Sequence, residues 1–164
     1  MSADPDCYPF GRALRSFFVN GADDGPLPSG PPLIAYGANA SPEALERKLP
    51  GARIAALAGR LRGWAVVHSA HVSPYGAVPA TIVAAPGAEA EVHVLYVEED
   101  RARLDATEPN YHRLWLPGVD LEVDRVGAVS AAEAYVSRHG PLLLDGAHVP
   151  LGSRPQAELR AALA

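Results

Sequence analysis

The order of strand-like and helix-like segments is the feature that most constrains the fold of this chain. Segments rich in β-branched and aromatic residues are separated by connections rich in glycine and proline, which is typical of strands joined by turns. The expected strands are PPLIAY, RLRGWAVVHSA, PATIVAAPG, EVHVLYV, YHRLWL, VDLEV and AAEAYVS. The expected helices are SPEALERKLPG, EEDRARLDAT and SRPQAELRAALA, the last capped by Ser153. This order predicts an α+β domain whose sheet curls or closes.

The composition indicates one globular domain that binds a small molecule or a protein. The 164 residues are enough to bury a core, and 48% are hydrophobic against 20% charged. The net charge is −5, Lys48 is the only lysine and the arginines are scattered, so we do not expect nucleic acid as a partner. No apolar run is long enough for a membrane span and no apolar leader opens the chain, which favours a cytoplasmic location. Cys7, the single cysteine, excludes an internal disulfide framework, and no feature defines the oligomeric state.

The first 30 residues are expected to form an arm laid against the main domain. Pro9 to Phe18 has apolar spacing typical of a short amphipathic helix. The segment NGADDGPLPSGPP that follows has the composition of a turn-rich linker. We therefore predict an N-terminal arm and linker over 1–30 and the main domain over 31–164.

A candidate binding loop lies where the first strand of the main domain meets its first helix. Tyr36, Gly37, Ala38 and Asn39 stand at this junction, directly before the helix cap Ser41. A glycine there can turn successive N–H groups toward one point, and a helix start adds free N–H groups and a positive dipole end. Such a junction suits a carboxylate, a phosphate or a developing oxyanion. A tight turn without a ligand explains the same four residues.

A second candidate site is the stretch LDATEPNYHRLW. Glu108 ends the second predicted helix because Pro109 biases the preceding residue toward an extended backbone. Tyr111 and Arg113 alternate along the next strand and therefore share one face. This acid, phenol and guanidinium can line a pocket, with Glu108 as a proton-transfer group. A solvated glutamate and a surface arginine explain the stretch equally well.

The histidines and serines do not define a further catalytic or metal site. His68 and His71 are three residues apart at a strand and its exit, so their side chains should point to opposite faces. His93 lies among apolar strand residues and is expected to pack rather than bind a metal. No serine has the flanking glycines of a nucleophile elbow. We therefore expect no acyl-enzyme, no metal and no cofactor.

Four stretches, taken in order, resemble the γ-glutamylcyclotransferase superfamily. AYGAN is similar to the family's Y-G-S-N loop, and YGAVPATIVAAPG is similar to its glycine-rich strand containing A-T. EVHVLYV is similar to the V-x-G-V-x-(Y/W) strand, and LDATEPNY to L-D-x-x-E-G followed by tyrosine. The resemblance covers about Leu33 to Ser137.

The resemblance implies a small mixed β-barrel with flanking helices, and a pocket between the loop and the glutamate. Glu108 would be the catalytic residue. The residues implied for substrate binding are Tyr36, Gly37, Ala38, Asn39 and Tyr111, with Tyr135 as a second aromatic. The sequence departs from the family pattern where Ala38 replaces serine, Pro109 replaces glycine and His93 replaces a small residue.

The implied activity is release of an amine or amino acid from a γ-glutamyl amide, with closure of the glutamyl part to 5-oxoproline. The substrate's own α-amine is the nucleophile, which agrees with the missing serine and cysteine motifs. Glu108 would act as general acid and base, and the N–H groups of Gly37 and Ala38 would bind an oxyanion or the α-carboxylate. Two alternatives stay open. One is removal of a γ-glutamyl protecting group from a biosynthetic intermediate, and the other is a non-catalytic member that binds a small acid or a protein.

Overall fold

The chain is built from eight strands and three α-helices in the part that this computed structural model describes, residues 4–9, 15–21, 25–98 and 101–164. The strands are β1 (Phe17–Val19), β2 (Leu33–Ala35), β3 (Arg53–His68), β4 (Ala80–Glu98), β5 (Tyr111–Val123), β6 (Gly127–Ser137), β7 (Leu143–Leu144) and β8 (Ala147–His148). The helices are α1 (Pro42–Lys48), α2 (Arg101–Ala106) and α3 (Gln156–Ala162), and 3-10 turns cover Pro5–Cys7 and Ala38–Ala40. None of the helices in these ranges is long and apolar enough to cross a membrane.

Five of the strands close into a mixed β-barrel. Strand β3 pairs antiparallel with both β4 and β5, which joins the two ends of the sheet. Strand β2 pairs antiparallel with β4 and parallel with β6, and β6 pairs antiparallel with β5. The ring β3–β4–β2–β6–β5 confirms the predicted α+β fold with a closed mixed sheet. Strand β1, from the segment predicted as an arm, pairs with residues 54–56 of β3, ahead of the stretch that pairs with β5.

Two pairs of predicted strands merge into single long strands. PATIVAAPG and EVHVLYV both lie in β4 because each half pairs with β3, and β5 likewise contains YHRLWL and VDLEV. The glycines that predicted turns lie at irregularities of the ladders instead. Gly87 and Gly118 have φ values of 82° and 70° and lie where the pairing register of their strands shifts. Such bulges bend a strand without ending it.

The helix boundaries agree with the sequence in one case and differ in two. Helix α1 begins at Pro42 as predicted, and the Ser41 side chain caps it by accepting from the Ala44 N–H. Ser153 does not cap α3, whose N-cap is Pro155, because a proline biases the residue before it away from the helical region. The helix predicted over Pro9 to Phe18 is wrong at its end, since Phe17–Val19 is β1. Residues 10–14 of that prediction lie outside the described residues.

The alternation of side chains along β2 directs the candidate site into the barrel. Ile34 and Tyr36 pack in the cluster inside the barrel with Leu57 and Leu121, whereas Leu33 packs on the other face against α1 and α2. Successive strand residues point to opposite faces, so this partition follows from the period of two. Each large apolar side chain buried this way contributes about 1.5–3 kcal/mol. The buried strand therefore fixes where the loop after it begins.

Candidate active site

A cavity of about 370 Å³ lies between the loop after β2 and the turn that joins α2 to β5. This volume is within the usual range for small-molecule sites. Seven of the residues predicted for the site line it: Tyr36, Gly37, Ala38, Asn39, Glu108, Tyr111 and Tyr135. The lining also contains residues that the sequence interpretation did not include, among them Tyr8, Lys48, His71 and Tyr75.

Glu108 is placed by the turn that ends α2. Its N–H donates to the Asp105 carbonyl at 3.0 Å, and its own carbonyl accepts from the Tyr111 N–H at 3.1 Å. Pro109 is the second residue of this turn, a position that the fixed φ of proline favours. The proline that replaces the family glycine is therefore compatible with a tight connection between the acid and Tyr111.

The Glu108 carboxylate is held by two donors in the cavity wall. The Lys48 ammonium lies 2.6 Å and the Asn39 amide nitrogen 2.9 Å from the same oxygen, Oε1. Lys48 also donates to Asn39 Oδ1 at 2.7 Å. Only 10% of the Glu108 side chain is exposed. The interpretation of Glu108 as a solvated helix-end glutamate is therefore wrong.

The loop after β2 forms a 3-10 turn that precedes α1. Ala40 N–H donates to the Gly37 carbonyl at 2.9 Å, and α1 begins only after this turn. The Ala44 N–H, near the start of α1, donates to the side-chain oxygen of Ser41. The contribution of the α1 N–H groups to an anion site stays a prediction.

Tyr8 places its hydroxyl oxygen against the loop. The oxygen accepts from the Ala80 N–H at 2.9 Å, and a Cβ added to Gly37 would collide with it. Burial raises the pKa of Tyr8 above its usual range, and hydrogen bonds from the Ala80 and Ala38 backbones act in the opposite direction. The missing side chain at Gly37 thus makes room for a phenol oxygen. Sequence reasoning missed Tyr8 because no local pattern relates it to a loop 28 positions away.

Two further tyrosines form neutral walls whose hydroxyls are bonded to backbone. Tyr36 donates to the Tyr135 carbonyl, and Tyr111 donates to the Ala80 carbonyl at 2.8 Å. Burial raises the pKa of both phenols far above the usual range, and the negative charge of Glu108 adds to the effect. Both side chains therefore stay protonated and supply shape and apolar area.

Arg113 does not line the cavity, in contrast to the prediction. Its guanidinium pairs with Asp105, at 2.8 Å between Nε and Oδ1, and with Glu133. The hydrogen bonds to Asp105 are the main cause that raises the pKa of Arg113. Among the described lining residues, the cation beside Glu108 is Lys48. No motif in the sequence selects Lys48 for the site.

His93 packs as expected, His68 is buried as well, and His71 lies at the cavity. His68 and His93 are buried, and each bonds a backbone carbonyl, Val78 at 3.0 Å and Arg15 at 2.9 Å. His71 lines the cavity and stacks on His139 with 4.4 Å between ring centroids. Burial, followed by the charge of His139, lowers the pKa of His71 to about 4. His71 is therefore neutral at physiological pH.

The lowered pKa of His71 predicts a loss of stability in mild acid. The unfolded chain binds a proton at this residue near pH 6.5, whereas the folded chain does so only near pH 4, so stability falls as the pH decreases between these values. His71→Asn should weaken this dependence, as measured by urea unfolding at pH 4.5 and pH 7. The matched variant at exposed His148, His148→Asn, should behave as wild type. Equal pH dependence in His71→Asn and wild type would contradict the expectation.

Solved structures match this chain, although its sequence matches no protein-family model and no curated protein. A human protein described as uncharacterized has a TM-score of 0.50 and 22% identity, over 65% of this chain and 66% of that one. A γ-glutamyl cyclotransferase has a TM-score of 0.50 and 19% identity, over 67% of this chain and 68% of that one. This chain thus spans about two thirds of each. It has the γ-glutamylcyclotransferase-like fold, and the resemblance seen in the motifs is confirmed at the level of the fold.

Proposed function

We propose that this protein is a cyclotransferase-type enzyme that converts a γ-glutamyl amide into 5-oxoproline and a free amine. The position of Glu108 carries the proposal. It is a mostly buried carboxylate with one oxygen bound by Lys48 and Asn39, in a cavity formed with the loop after β2. A fold shared with a γ-glutamyl cyclotransferase supports the choice of substrate class.

The reaction requires one proton carrier and a substrate folded on itself. Glu108 accepts a proton from the substrate's α-ammonium, and the freed lone pair attacks the γ-carbonyl carbon. A new C–N bond closes the five-membered ring, Glu108 returns the proton to the leaving nitrogen, and the bond to that nitrogen breaks. The ring nitrogen gives up its second proton, again through Glu108, and the released amine takes it up and departs as an ammonium ion. Such proton transfer contributes about 10²–10⁴ in rate, and the cavity walls add a proximity effect by holding the chain folded.

The negative charge that develops on the γ-carbonyl oxygen needs hydrogen-bond donors on the side of the forming ring that faces away from Glu108. The backbone N–H groups of Gly37 and Ala38 are the donors we assign to this oxygen or to the α-carboxylate, with the Ala38 N–H shared between the ligand and the Tyr8 hydroxyl oxygen that it already bonds. The Tyr8 hydroxyl lies beside them and, because burial raises its pKa, it stays protonated. Donors fixed in place before the reaction act without a cost of reorganisation.

Incubation of the pure protein with a panel of γ-glutamyl amines and γ-glutamyl amino acids tests this proposal. We expect 5-oxoproline and the released amine in equal amounts, detected by mass spectrometry. Release of free glutamate would instead indicate hydrolytic removal of a γ-glutamyl group. No product, with a small acid bound in the cavity, would make the protein a non-catalytic binder and would overturn the proposal.

Restoring the family serine with Ala38→Ser is expected to change selectivity more than turnover. Position 38 keeps its backbone N–H, and the half-buried side chain gains only a hydroxyl at the cavity wall. The ratio of kcat/KM between two γ-glutamyl substrates should shift, while kcat for the better one changes by less than about tenfold, or 1.4 kcal/mol. Loss of all turnover in a folded Ala38→Ser protein would contradict this expectation.

A further inference from the structure

We propose that Lys48 is a positioning residue that holds one oxygen of Glu108 so that the other faces the substrate. This inference rests on the proposed function, because it assigns Lys48 a role in the proton transfer that Glu108 would perform. It goes beyond the motifs, none of which includes Lys48. The alternative is a structural ion pair that links α1 to the turn before β5 and has no part in the reaction.

The first argument is the closed set of hydrogen bonds among three side chains. Lys48 donates to Glu108 Oε1 at 2.6 Å and to Asn39 Oδ1 at 2.7 Å, and Asn39 donates to the same Oε1 at 2.9 Å. Both ends of the Asn39 amide are therefore used, which fixes its orientation. Among the described residues, no hydrogen bond to Glu108 Oε2 is found. One oxygen is thus fixed by two donors and the other is left for a ligand.

The second argument is the environment of the charges. The Lys48 and Glu108 side chains are 20% and 10% exposed, so water only partly solvates the pair. A carboxylate in such a place is costly without a counter-charge, and losing one partner is far worse than losing both. The ammonium therefore supplies the counter-charge that a carboxylate in this place needs.

The third argument is that Lys48 is itself held in place. It is the last residue of α1, and its neighbours Leu45 and Leu49 are fully buried between the helix and the barrel. The backbone of Lys48 is therefore anchored on one side by the core. From there the side chain reaches a residue 60 positions away in the chain. An anchored donor restricts the rotamers of Glu108, and a misplacement of 1 Å can cost about 10² in rate.

A titration of Glu108 tests the electrostatic part without requiring turnover. The side-chain carboxyl of ¹³C-labelled Glu108, assigned by the signal lost in Glu108→Gln, is followed by NMR against pH. In Lys48→Met its midpoint should lie at higher pH than in wild type, because the cation 2.6 Å from Oε1 is gone. Lys48→Arg keeps the charge and should stay closer to wild type. Arg154→Met removes an exposed charge from a position that does not line the cavity and should leave the midpoint unchanged.

Kinetics test the positioning part on any γ-glutamyl substrate that the wild type converts. In Lys48→Met the acidic limb of the plot of kcat/KM against pH should move to higher pH by the same amount. The value of kcat on the plateau should fall by about 10–100-fold. Lys48→Arg should bring the acidic limb back toward its wild-type position. If Lys48→Met does not fold, as judged by circular dichroism, Lys48→Gln takes its place in both measurements.

An unchanged midpoint and an unchanged limb in Lys48→Met would overturn the inference and leave a structural ion pair. A Lys48→Arg protein whose midpoint and acidic limb are no closer to those of wild type than the values for Lys48→Met would also overturn it. If the wild type forms no 5-oxoproline, the proposed function fails and with it the catalytic role of Lys48. The titration then still decides whether Lys48 favours the charged form of Glu108, so the two failures are distinguishable.

Discussion

Glu108→Gln is expected to lower 5-oxoproline formation by about 10²–10⁴-fold, the usual contribution of a general acid or base. Glutamine keeps the volume and an oxygen that can accept from Lys48 and Asn39, but it cannot take the proton of the α-ammonium. Substrate affinity should change by less than about tenfold, because the donors of Gly37 and Ala38 are untouched. Steady-state kinetics for turnover and calorimetry for Kd separate the two effects.

A matched control for Glu108→Gln is available outside the cavity. The Glu133 side chain is also 10% exposed and ion-paired, with Arg101 at 2.8 Å, but it does not line the cavity. Glu133→Gln should therefore retain kcat even where it lowers stability. Equal turnover in wild type and Glu108→Gln would defeat the mechanism. Equal losses in Glu108→Gln and Glu133→Gln would show that disruption of an ion pair, rather than removal of the proton carrier, is responsible.

Gly37→Ala is expected to lower the free energy of unfolding by about 1–3 kcal/mol, the usual cost of overpacking. The new Cβ would collide with the Tyr8 hydroxyl and stand 3.2 Å from the Ala80 Cβ. Turnover should fall as well, because the collision displaces the loop or Tyr8. Urea unfolding and the assay for 5-oxoproline measure the two losses.

A second substitution identifies the cause of the Gly37→Ala loss. In the Tyr8→Phe protein the colliding oxygen is gone, and the next ring atom is 3.6 Å from the added Cβ, an ordinary contact. Gly37→Ala should therefore cost less in Tyr8→Phe than in wild type, and a double-mutant cycle measures the difference. Tyr8→Phe alone should cost about 1 kcal/mol, because the Ala80 N–H loses its acceptor. Strict additivity of the two changes would contradict the proposed contact.

Local sequence features predicted the ends of the elements at Gly37 and Glu108, and the resemblance to the γ-glutamylcyclotransferase superfamily added the expectation of a barrel and of a pocket shared by the two. Gly37 and Glu108 each stand at the end of a regular element, where turn chemistry and a following proline leave few alternatives. The strand Leu33–Ala35 and helix α1 follow from short-range patterns and a capping serine. Gly87 and Gly118 led to the prediction of turns between separate strands. They lie within single strands instead, because a bulge and a turn both use the positive φ values that glycine adopts easily.

Contacts between distant segments explain what the sequence could not predict. Tyr8 reaches the loop from a part of the chain that carries no site motif, and Lys48 meets Glu108 only because α1 packs beside the end of α2. Arg113 shares a strand with Tyr111, but the carboxylates of Asp105 and Glu133 bind it outside the cavity. Which of several charged residues reaches a pocket depends on packing, and strand periodicity alone does not determine it.

The structure of the Glu108→Gln protein with a γ-glutamyl amide bound tests the central claim most directly. The slow variant should trap the intact substrate in the cavity with its α-amine nitrogen within about 3 Å of the side chain at position 108. An oxygen of the glutamyl part should lie against the N–H groups of Gly37 and Ala38. A ligand bound outside this cavity, or bound within it with the α-amine turned away from position 108, would contradict the account.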